Sequence, residues 1–244
     1  MESKLDKELI SYLCDPENDL LTEFKAKAPG TFKHCEEVSN LCEKIGRELK
    51  LDIEFLKIIG LYHDIGKMLN PKYFSENQPK DFNVHDDLNP EISAHFIISH
   101  VANSIAVLAT RVKNIDIDII KCISMHHSDS VLKVFLSKLP EDERENSKDA
   151  FRYPYSKPDN VYACILMIAD IVEAKIRSLR NTQADIDIPK EIKGIIEQLT
   201  IETNLDELTI RQGRIISDVL VSEYSAVEHK RVTYEDQAAQ NAKK

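Results

Sequence analysis

The chain has no tryptophan, only six glycines among its 244 residues, and no apolar run as long as a membrane span. Such a low glycine content is typical of helical proteins with few tight turns. The first residues lack the apolar core of a secretion signal, so we expect a soluble chain without a membrane segment. The 42 acidic residues outnumber the 32 basic ones, and the net charge of −10 argues against binding of long nucleic acid through a basic surface.

The cysteines are few and unpatterned. There are five of them, an odd number, and no two are spaced as CxxC: Cys14, Cys35, Cys42, Cys122 and Cys164. This usage disfavours a disulfide framework and favours reduced thiols. We therefore expect a cytoplasmic location.

Apolar residues recur at three- and four-residue steps along most of the chain, which predicts helices. Thr31 is expected to cap one helix and Asp52 the next, because both side chains can accept from free amide groups. Pro90 is expected to begin a helix reaching about residue 112, since proline suits the first helical position. Further helices are predicted to end at His126-His127, to begin near Val131, and to cover 158–180, 189–200 and 208–228.

No convincing strand pattern occurs, so the predicted fold class is all-α. We expect a single domain over residues 1–233, with its core at about 28–180 and C-terminal helices at about 189–228. Residues 234–244 contain too few apolar side chains to pack, and we expect them to be disordered.

Two connections stand out between the predicted helices. Residues 70–90 are rich in asparagine and proline and have no helical stripe, so we expect a long structured loop. Loops of this length in a compact domain are usually functional. Residues 141–149 are polar and are expected to form a solvated connection.

The most informative motif is His63-Asp64, within the segment Tyr-His-Asp-Ile-Gly-Lys at residues 62–67. On a helix, adjacent side chains diverge by about 100°, so the histidine could serve one metal while the carboxylate bridges to a second. Gly66 permits close backbone approach, and Lys67 could neutralise phosphate charge. The motif is equally compatible with a helix C-terminus at which His63 and Lys67 complement the dipole.

Other potential ligands are spread along more than half of the chain. Five of the eight histidines belong to this set, which comprises His34, His63, His100, His126 and His127. His100 and Asp170 both lie among apolar neighbours, where an unpartnered polar group would be costly. His85 and His95 are expected to be ordinary or substrate-side residues.

These residues, taken together, resemble the metal-dependent phosphohydrolases of the HD-domain superfamily. Within it the chain resembles the cytosolic catalytic domain of seven-transmembrane HD proteins, the PgpH-type cyclic-di-AMP phosphodiesterases, over about residues 16–228. The motifs that carry the resemblance lie at residues 28–31, 63–67, 76–78, 85–90, 97–101, 151–158 and 169–179, and they include Glu-Asn-Gln at 76–78 and Phe-Arg-Tyr-Pro at 151–154.

The resemblance implies an HD-domain helical bundle around two divalent metal ions, Fe or Mn. It implies that one metal is held by His34, His63, Asp64 and Asp170, and the other by Asp64, His100 and His126, with His127 a ligand or a phosphate contact. The implied reaction is hydrolysis of cyclic-di-AMP to linear pApA by a metal-bridging hydroxide. The implied catalytic residues are Asp64, Lys67 and His127, and the implied substrate contacts are Lys67, His127, Asp129, Arg152 and Tyr153.

The chain departs from the family pattern at two places. Ser128-Asp129 follows the double histidine where the family usually has Gly-Thr, and Tyr155 replaces a glycine after residues 151–154. These changes leave the exact nucleotide open, although the cyclic-di-GMP branch is disfavoured because its Gly-Tyr-Pro signature is absent after His127.

Two other functions are left open. The first is a phosphohydrolase acting on another nucleotide, and the second is a signalling module that binds a nucleotide without cleaving it. The sequence also leaves the oligomeric state open between a monomer and a homodimer. The apolar residues of the last two helices are expected to face the core, although they would also suit self-association.

Overall fold

The computed structural model describes residues 3–182 and 185–241, with side chains of the last helix described as far as residue 225. No β-strand occurs in these ranges, where the extended pairing is a single antiparallel bridge between Val131 and Arg152. The predicted all-α fold is therefore confirmed.

The helices after residue 28 follow the predicted order closely, whereas the two helices before it were not predicted. They are α1 (Lys7–Leu13), α2 (Asp19–Lys27), α3 (Pro29–Leu49), α4 (Ile53–Tyr62), α5 (Pro90–Arg111), α6 (Ile117–Met125), α7 (Lys133–Leu136), α8 (Glu141–Ser147), α9 (Val161–Thr182), α10 (Ile188–Ile201) and α11 (Ile210–Asn241). Asp52 caps α4 by accepting from the amide of Phe55, and Pro90 is the first residue of α5, both as predicted.

The predicted cap at Thr31 is wrong, because α3 begins two residues earlier, at Pro29. Proline has a backbone φ that suits the first helical turn and lacks the amide hydrogen that would be unpaired there. No side chain of α3 itself caps this end. The Asn77 side-chain oxygen instead accepts from the amides of Gly30 and Thr31, at 2.9 and 3.2 Å.

Three further segments differ from the prediction. Residues 141–149 are mostly exposed, as expected, but they form α8 and the start of a 3₁₀ turn at Lys148–Phe151. Acidic residues in the first turn of α8 favour this helix, because they complement the positive end of its dipole. The helix predicted near Val131 is only the single turn of α7. Helix α11 continues past residue 228 and over 234–241 of the tail expected to be disordered, and 242–244 lie outside the described residues.

The core lies where α3, α4 and α9 pack together, with α6 packed against α4 and α9, and α5 packed against α6. Its largest fully buried apolar side chains include Ile45 of α3, Leu56 and Ile59 of α4, and Leu108 of α5. The C-terminal helices extend this core through Leu199, Ile216 and Leu220, which are all buried. These three residues thus face inward, as predicted.

Helix α5 is long and apolar enough to cross a membrane by length and composition, although we expected no such segment. A single helix of this kind is weak evidence for a membrane span, because core helices of soluble proteins share the same properties. Here α5 packs along the 3₁₀ turn Ile65–Leu69 and contributes the buried polar residues His100 and Ser104. Its most apolar stretch is 39% buried, so part of its apolar surface serves packing within the bundle.

The close contact of α3 with α4 depends on the absence of a side chain at Gly60. A Cβ atom there would lie 2.7 Å from the Ser39 Cα atom, closer than real contacts allow. We expect Gly60→Ala to lower the free energy of unfolding by about 1–3 kcal/mol, as overpacking does. Chemical denaturation measures this change.

Gly194 in α10 provides the matched control, because a Cβ atom there would have no neighbour within 4 Å. Gly194→Ala should stabilise the protein by up to about 1 kcal/mol through helix propensity alone. Equal stabilisation by both substitutions would contradict the packing argument.

Candidate metal centre

Five helices deliver the seven predicted ligands to one place. His34 comes from the middle of α3, His100 from α5 and Asp170 from α9, while the other four lie at helix ends: His63 and Asp64 after α4, and His126 and His127 after α6. All of them are buried except His127, which is half-buried. A cluster of buried imidazoles and carboxylates needs compensating charge or coordination.

Asp64 lies between two groups of histidines. Its Oδ2 atom is 3.8 Å from His34 Nε2 and 3.4 Å from His63 Nε2. Its Oδ1 atom is 3.1 Å from His100 Nε2 and 3.8 Å from His126 Nε2. The two oxygens of one carboxylate thus face different histidine pairs, which is the arrangement that a bridging ligand requires.

The remaining predicted ligands complete these two groups. Asp170 Oδ1 is 3.0 Å from His34 Nε2 and 3.7 Å from His63 Nε2, so Asp170 belongs with that pair. The His127 ring lies 4.1 Å from the His126 ring between centroids and belongs with the other group. In each group the potential ligand atoms lie within 4.8 Å of one another.

Hydrogen bonds orient three of the imidazoles toward this centre. In each, Nδ1 contacts the carbonyl oxygen three residues earlier, at 2.8 Å for His63 and Gly60, 2.5 Å for His100 and Ile97, and 2.6 Å for His126 and Ile123. A carbonyl only accepts, so Nδ1 carries a hydrogen and Nε2 is the nitrogen that faces the centre, where it can coordinate a metal. This is how metal-binding histidines are commonly held.

The electrostatics keep the carboxylates ionised. Burial raises the pKa of Asp64, but the Lys67 ammonium group and the neighbouring histidines outweigh it and hold that pKa well below its usual range. Burial likewise raises the pKa of Asp170, and hydrogen bonds with His34 and His63 bring it well below its usual range. Burial and the nearby His63 lower the pKa of His126 to about 3, so this imidazole is neutral. The ionised carboxylate oxygens and the neutral nitrogen of His126 are ligands of the kind that divalent metals bind.

Two buried atoms at the centre lack any hydrogen bond: His63 Nε2 and Asp64 Oδ1. Leaving such an atom unsatisfied costs about 1–3 kcal/mol. Both atoms are acceptors when Nδ1 of the histidine carries its hydrogen, so a cation can satisfy both at once. The residues therefore fit a divalent metal bound by nitrogen and oxygen.

Cys35 is the thiol nearest to this centre among the described residues, and its position does not suit coordination. Its Sγ atom lies 3.8 Å from His63 Nδ1, on the side of the ring that already contacts the Gly60 carbonyl. Cys35, His63 and Asp64 do form a third group whose potential ligand atoms lie within 4.8 Å of one another, but the sulfur is next to Nδ1 of His63, the nitrogen that contacts Gly60.

Glu173 is a residue of the site that sequence reasoning did not single out. It lies one turn after Asp170 on α9, is buried, and its Oε2 atom accepts from His34 Nδ1. Burial lowers the pKa of His34, but hydrogen bonds with Asp170 and Glu173 outweigh it and raise that pKa to about 9. An ionisable residue three positions from Asp170 within an apolar stripe was the signal available in the sequence.

Lys67 lies at the edge of the metal centre, in the 3₁₀ turn Ile65–Leu69. Its ammonium nitrogen is 2.6 Å from Asp64 Oδ2 and 3.3 Å from Glu76 Oε1. Burial lowers the pKa of Lys67, but these two carboxylates outweigh it and raise the pKa above its usual range, so Lys67 is a cation. Glu76 also accepts from the Thr31 hydroxyl, at 2.9 Å.

Gly66 allows this turn to contact α5 directly, as the sequence predicted. A Cβ atom on Gly66 would lie 2.2 Å from the Ser104 amide nitrogen and 2.4 Å from the His100 carbonyl oxygen. The Gly66 amide also donates to the Ser104 hydroxyl, at 2.9 Å. This contact brings His63-Asp64 next to His100.

A cavity of 580 Å³ opens beside the metal centre. Lys67, His127 and Tyr153 line it, as do His85 and nine residues of the loop between 73 and 82 that include Tyr73, Phe74 and Phe82. Its volume lies within the range of about 300–1,000 Å³ for small-molecule sites. The 70–90 loop thus forms one wall of the cavity, whereas His95 is exposed outside it.

Asp129 and Arg152 do not line this cavity. They border a second cavity of 860 Å³ on the other side of His127, and the Arg152 guanidinium donates to the Asp129 carbonyl at 2.8 Å. Ser128 has a φ of 55°, in the left-handed region that favours glycine. This conformation explains the glycine that the family usually has here, and Asp129 is exposed rather than buried among the ligands.

The family model for the HD domain matches residues 31–175, which include every residue of the metal cluster. The chain belongs to the HD-domain family. The resemblance expected from the motifs is therefore confirmed, and so is the helical bundle.

Relatives and solved structures agree with this assignment. This HD domain is 34% identical over 227 residues to the cyclic-di-AMP phosphodiesterase PgpH of Listeria monocytogenes, and 32% identical over 224 residues to that of Bacillus subtilis. These matches cover 92% and 91% of this chain but 31% of each relative, so the HD domain spans about a third of their length.

The crystal structure of the L. monocytogenes PgpH HD domain in complex with cyclic-di-AMP superposes with a TM-score of 0.78 at 32% sequence identity. The match covers 87% of this chain and 99% of that one. The two chains thus share their fold almost throughout the solved domain.

Because His63 Nε2 and Asp64 Oδ1 lack hydrogen bonds, we expect metal binding to stabilise the fold. Saturating Mn²⁺, at 100 times its dissociation constant, should add about 2.7 kcal/mol to the free energy of unfolding. The increase should appear as a higher Tm in Mn²⁺ than in a chelating buffer. His63→Ala should remove most of this difference, while the exposed His95→Ala should retain it. An equal Tm in both buffers for the unsubstituted protein would contradict metal binding at the cluster.

Proposed function

We propose that this HD domain is a metal-dependent phosphodiesterase that opens cyclic-di-AMP to linear pApA. The observation that carries the proposal is the position of Asp64, whose two oxygens face separate histidine groups beside a cavity lined with aromatic residues. Two relatives are cyclic-di-AMP phosphodiesterases and the solved PgpH domain binds cyclic-di-AMP, and both findings support this choice of substrate.

The proposed metals are two Fe or Mn ions. His34, His63, Asp64 and Asp170 would hold one, and Asp64, His100, His126 and His127 the other. The donor set supports these metals because the proposed ligands are imidazole nitrogens and carboxylate oxygens. When bound, two such ions lower the pKa of water and neutralise charge that develops on a phosphate.

The residues of the cavity have separate proposed tasks. Lys67 lies between the metal cluster and the cavity, where its charge would neutralise a phosphate oxygen while Glu76 holds it in place. His127 borders both cavities and would contact the phosphate or coordinate the metal. The Tyr153 ring lies 4.5 Å from the His127 ring, and this contact would orient the imidazole.

The aromatic wall supports a nucleotide ligand, because bases stack on such side chains. Phe74 and Phe82 border the cavity, as do Tyr73 and Tyr153. Asp129 and Arg152 lie past His127 and would contact a part of the ligand that extends into the second cavity. We also propose that the domain works in the reducing cytoplasm, since all five cysteines are free thiols.

Substitution of the two central aspartates tests the number of metals. Asp64→Asn should lose both metals, because Asp64 contacts both groups, whereas Asp170→Asn should lose only the metal bound by His34 and His63. Either variant should lower turnover of cyclic-di-AMP by at least about 100-fold, since both metals act on the reacting phosphate. Metal content by elemental analysis and linear product by chromatography measure these effects.

Asp118→Asn is the matched control, because Asp118 is an exposed aspartate on α6, outside the cluster. It should bind two metals and retain full turnover. Circular dichroism should show that all three variants keep their helical content. Undiminished turnover in Asp64→Asn would contradict the proposal.

A panel of nucleotides tests the substrate. We expect the Mn²⁺- or Fe²⁺-loaded domain to hydrolyse cyclic-di-AMP in preference to cyclic-di-GMP, linear dinucleotides and nucleoside triphosphates. Preference for mononucleotides would contradict the proposed substrate and support a different phosphohydrolase. Tight binding of cyclic-di-AMP without any product would instead support a non-catalytic signalling module.

A further inference from the structure

The Nδ1 atoms of four clustered histidines do not all have the same kind of partner. His63, His100 and His126 each contact a backbone carbonyl through Nδ1. His34 contacts the Glu173 carboxylate instead, and this side chain is 139 positions away in the sequence. Among these four histidines, His34 therefore has a partner that carries a full negative charge.

The geometry on α9 makes this contact specific. Asp170 and Glu173 lie one helical turn apart, and their carboxylates contact opposite nitrogens of the same imidazole, with Asp170 Oδ1 3.0 Å from Nε2. Arg177, a further turn along, lies 3.2 Å from the other oxygen of Glu173. One face of α9 thus carries three residues of this network. Asp170 is a potential ligand, Glu173 is the partner of His34, and Arg177 is the cation that balances the charge of Glu173.

The burial of the Glu173 carboxylate costs free energy that its interactions have to offset. Its side chain is 1% exposed, and taking a carboxylate out of water costs several kcal/mol before pairing compensates. A backbone carbonyl orients the other imidazoles without this cost. The difference indicates a role for the charge itself, beyond holding the ring in place.

We propose that Glu173 is a positioning residue that sets the affinity of one metal only, the metal held by His34, His63 and Asp170. The proposal rests on the two-metal site of the proposed function. A carboxylate at Nδ1 keeps the hydrogen on that nitrogen and makes Nε2 a stronger donor toward the metal. Loss of such a partner typically weakens metal binding by about 10–100-fold.

The effect should not extend to the other metal. Glu173 contacts His34, Arg177 and Glu37, and no contact with His100, His126 or His127 occurs among the described residues. The three carbonyl contacts of His63, His100 and His126 also remain when Glu173 is replaced. The two sites should therefore respond differently to the same substitution.

The experiment is a titration of metal-free protein with Mn²⁺ alone, followed by calorimetry and by electron paramagnetic resonance. Two bound Mn²⁺ ions sharing Asp64 should give a spin-coupled spectrum, whereas one ion alone gives the six-line spectrum of isolated Mn²⁺. Glu173→Leu should weaken one of the two binding steps by about 100-fold and leave the other unchanged. With one equivalent of Mn²⁺ added, the unsubstituted protein and this variant should therefore differ in the fraction of protein that binds a single Mn²⁺ ion and gives the six-line spectrum.

Two further variants make the result specific. Glu173→Gln keeps an acceptor for the His34 hydrogen but removes the charge, and it should weaken the same step by about 10-fold. This variant also decides the question if Glu173→Leu does not fold. Glu36→Gln removes the same charge from an exposed position on α3, and both binding steps should be unchanged.

The outcomes separate this inference from the proposed function. Two unchanged affinities in Glu173→Gln and Glu173→Leu would overturn the inference and leave the two-metal site intact. Equal weakening of both steps would also overturn it, because that pattern indicates a general structural role. An unsubstituted protein that binds fewer than two Mn²⁺ ions would overturn the proposed function itself, and the inference with it.

Discussion

The structure depends on one buried carboxylate, that of Asp64, which lies between two groups of imidazoles. Its side chain is almost inaccessible to water, so its charge needs partners from every direction. Helices α3, α4, α5, α6 and α9 each bring a polar residue to this point, and the apolar core surrounds them. The bundle is thus organised around a polar centre whose stability depends on complete pairing or coordination.

The wall of the cavity is connected to this centre by a second set of contacts. Asn77 binds two free amides at the start of α3, and a Cβ atom on Gly30 would lie 1.9 Å from the Glu76 carbonyl oxygen. Glu76 in turn contacts Lys67, which contacts Asp64. Two motifs that are 45 residues apart, at 28–31 and 76–78, are therefore halves of one structural unit. A continuous set of contacts therefore connects the start of α3, the cavity loop and the metal centre.

Much of the fold and the composition of the site could be predicted, because their signals are local. Helical periodicity gave correct elements for α3, α4, α5, α6 and α9, and apolar surroundings separated His100 from the exposed His95. The cap at Thr31 was wrong because the residue that satisfies this helix end is Asn77, distant in sequence. Glu173 was overlooked because its role depends on His34, and periodicity alone cannot pair two helices.

The sequence by itself determined the donor chemistry, the helices that carry it and the family to which the chain belongs. These follow from residue type and spacing, which act over a few residues. Only the tertiary structure decided which oxygen of Asp64 faces which histidines, and that Asp129 lies outside the cluster beside Arg152. Helix packing fixes such relations, because it brings side chains more than a hundred positions apart to within a hydrogen bond of each other.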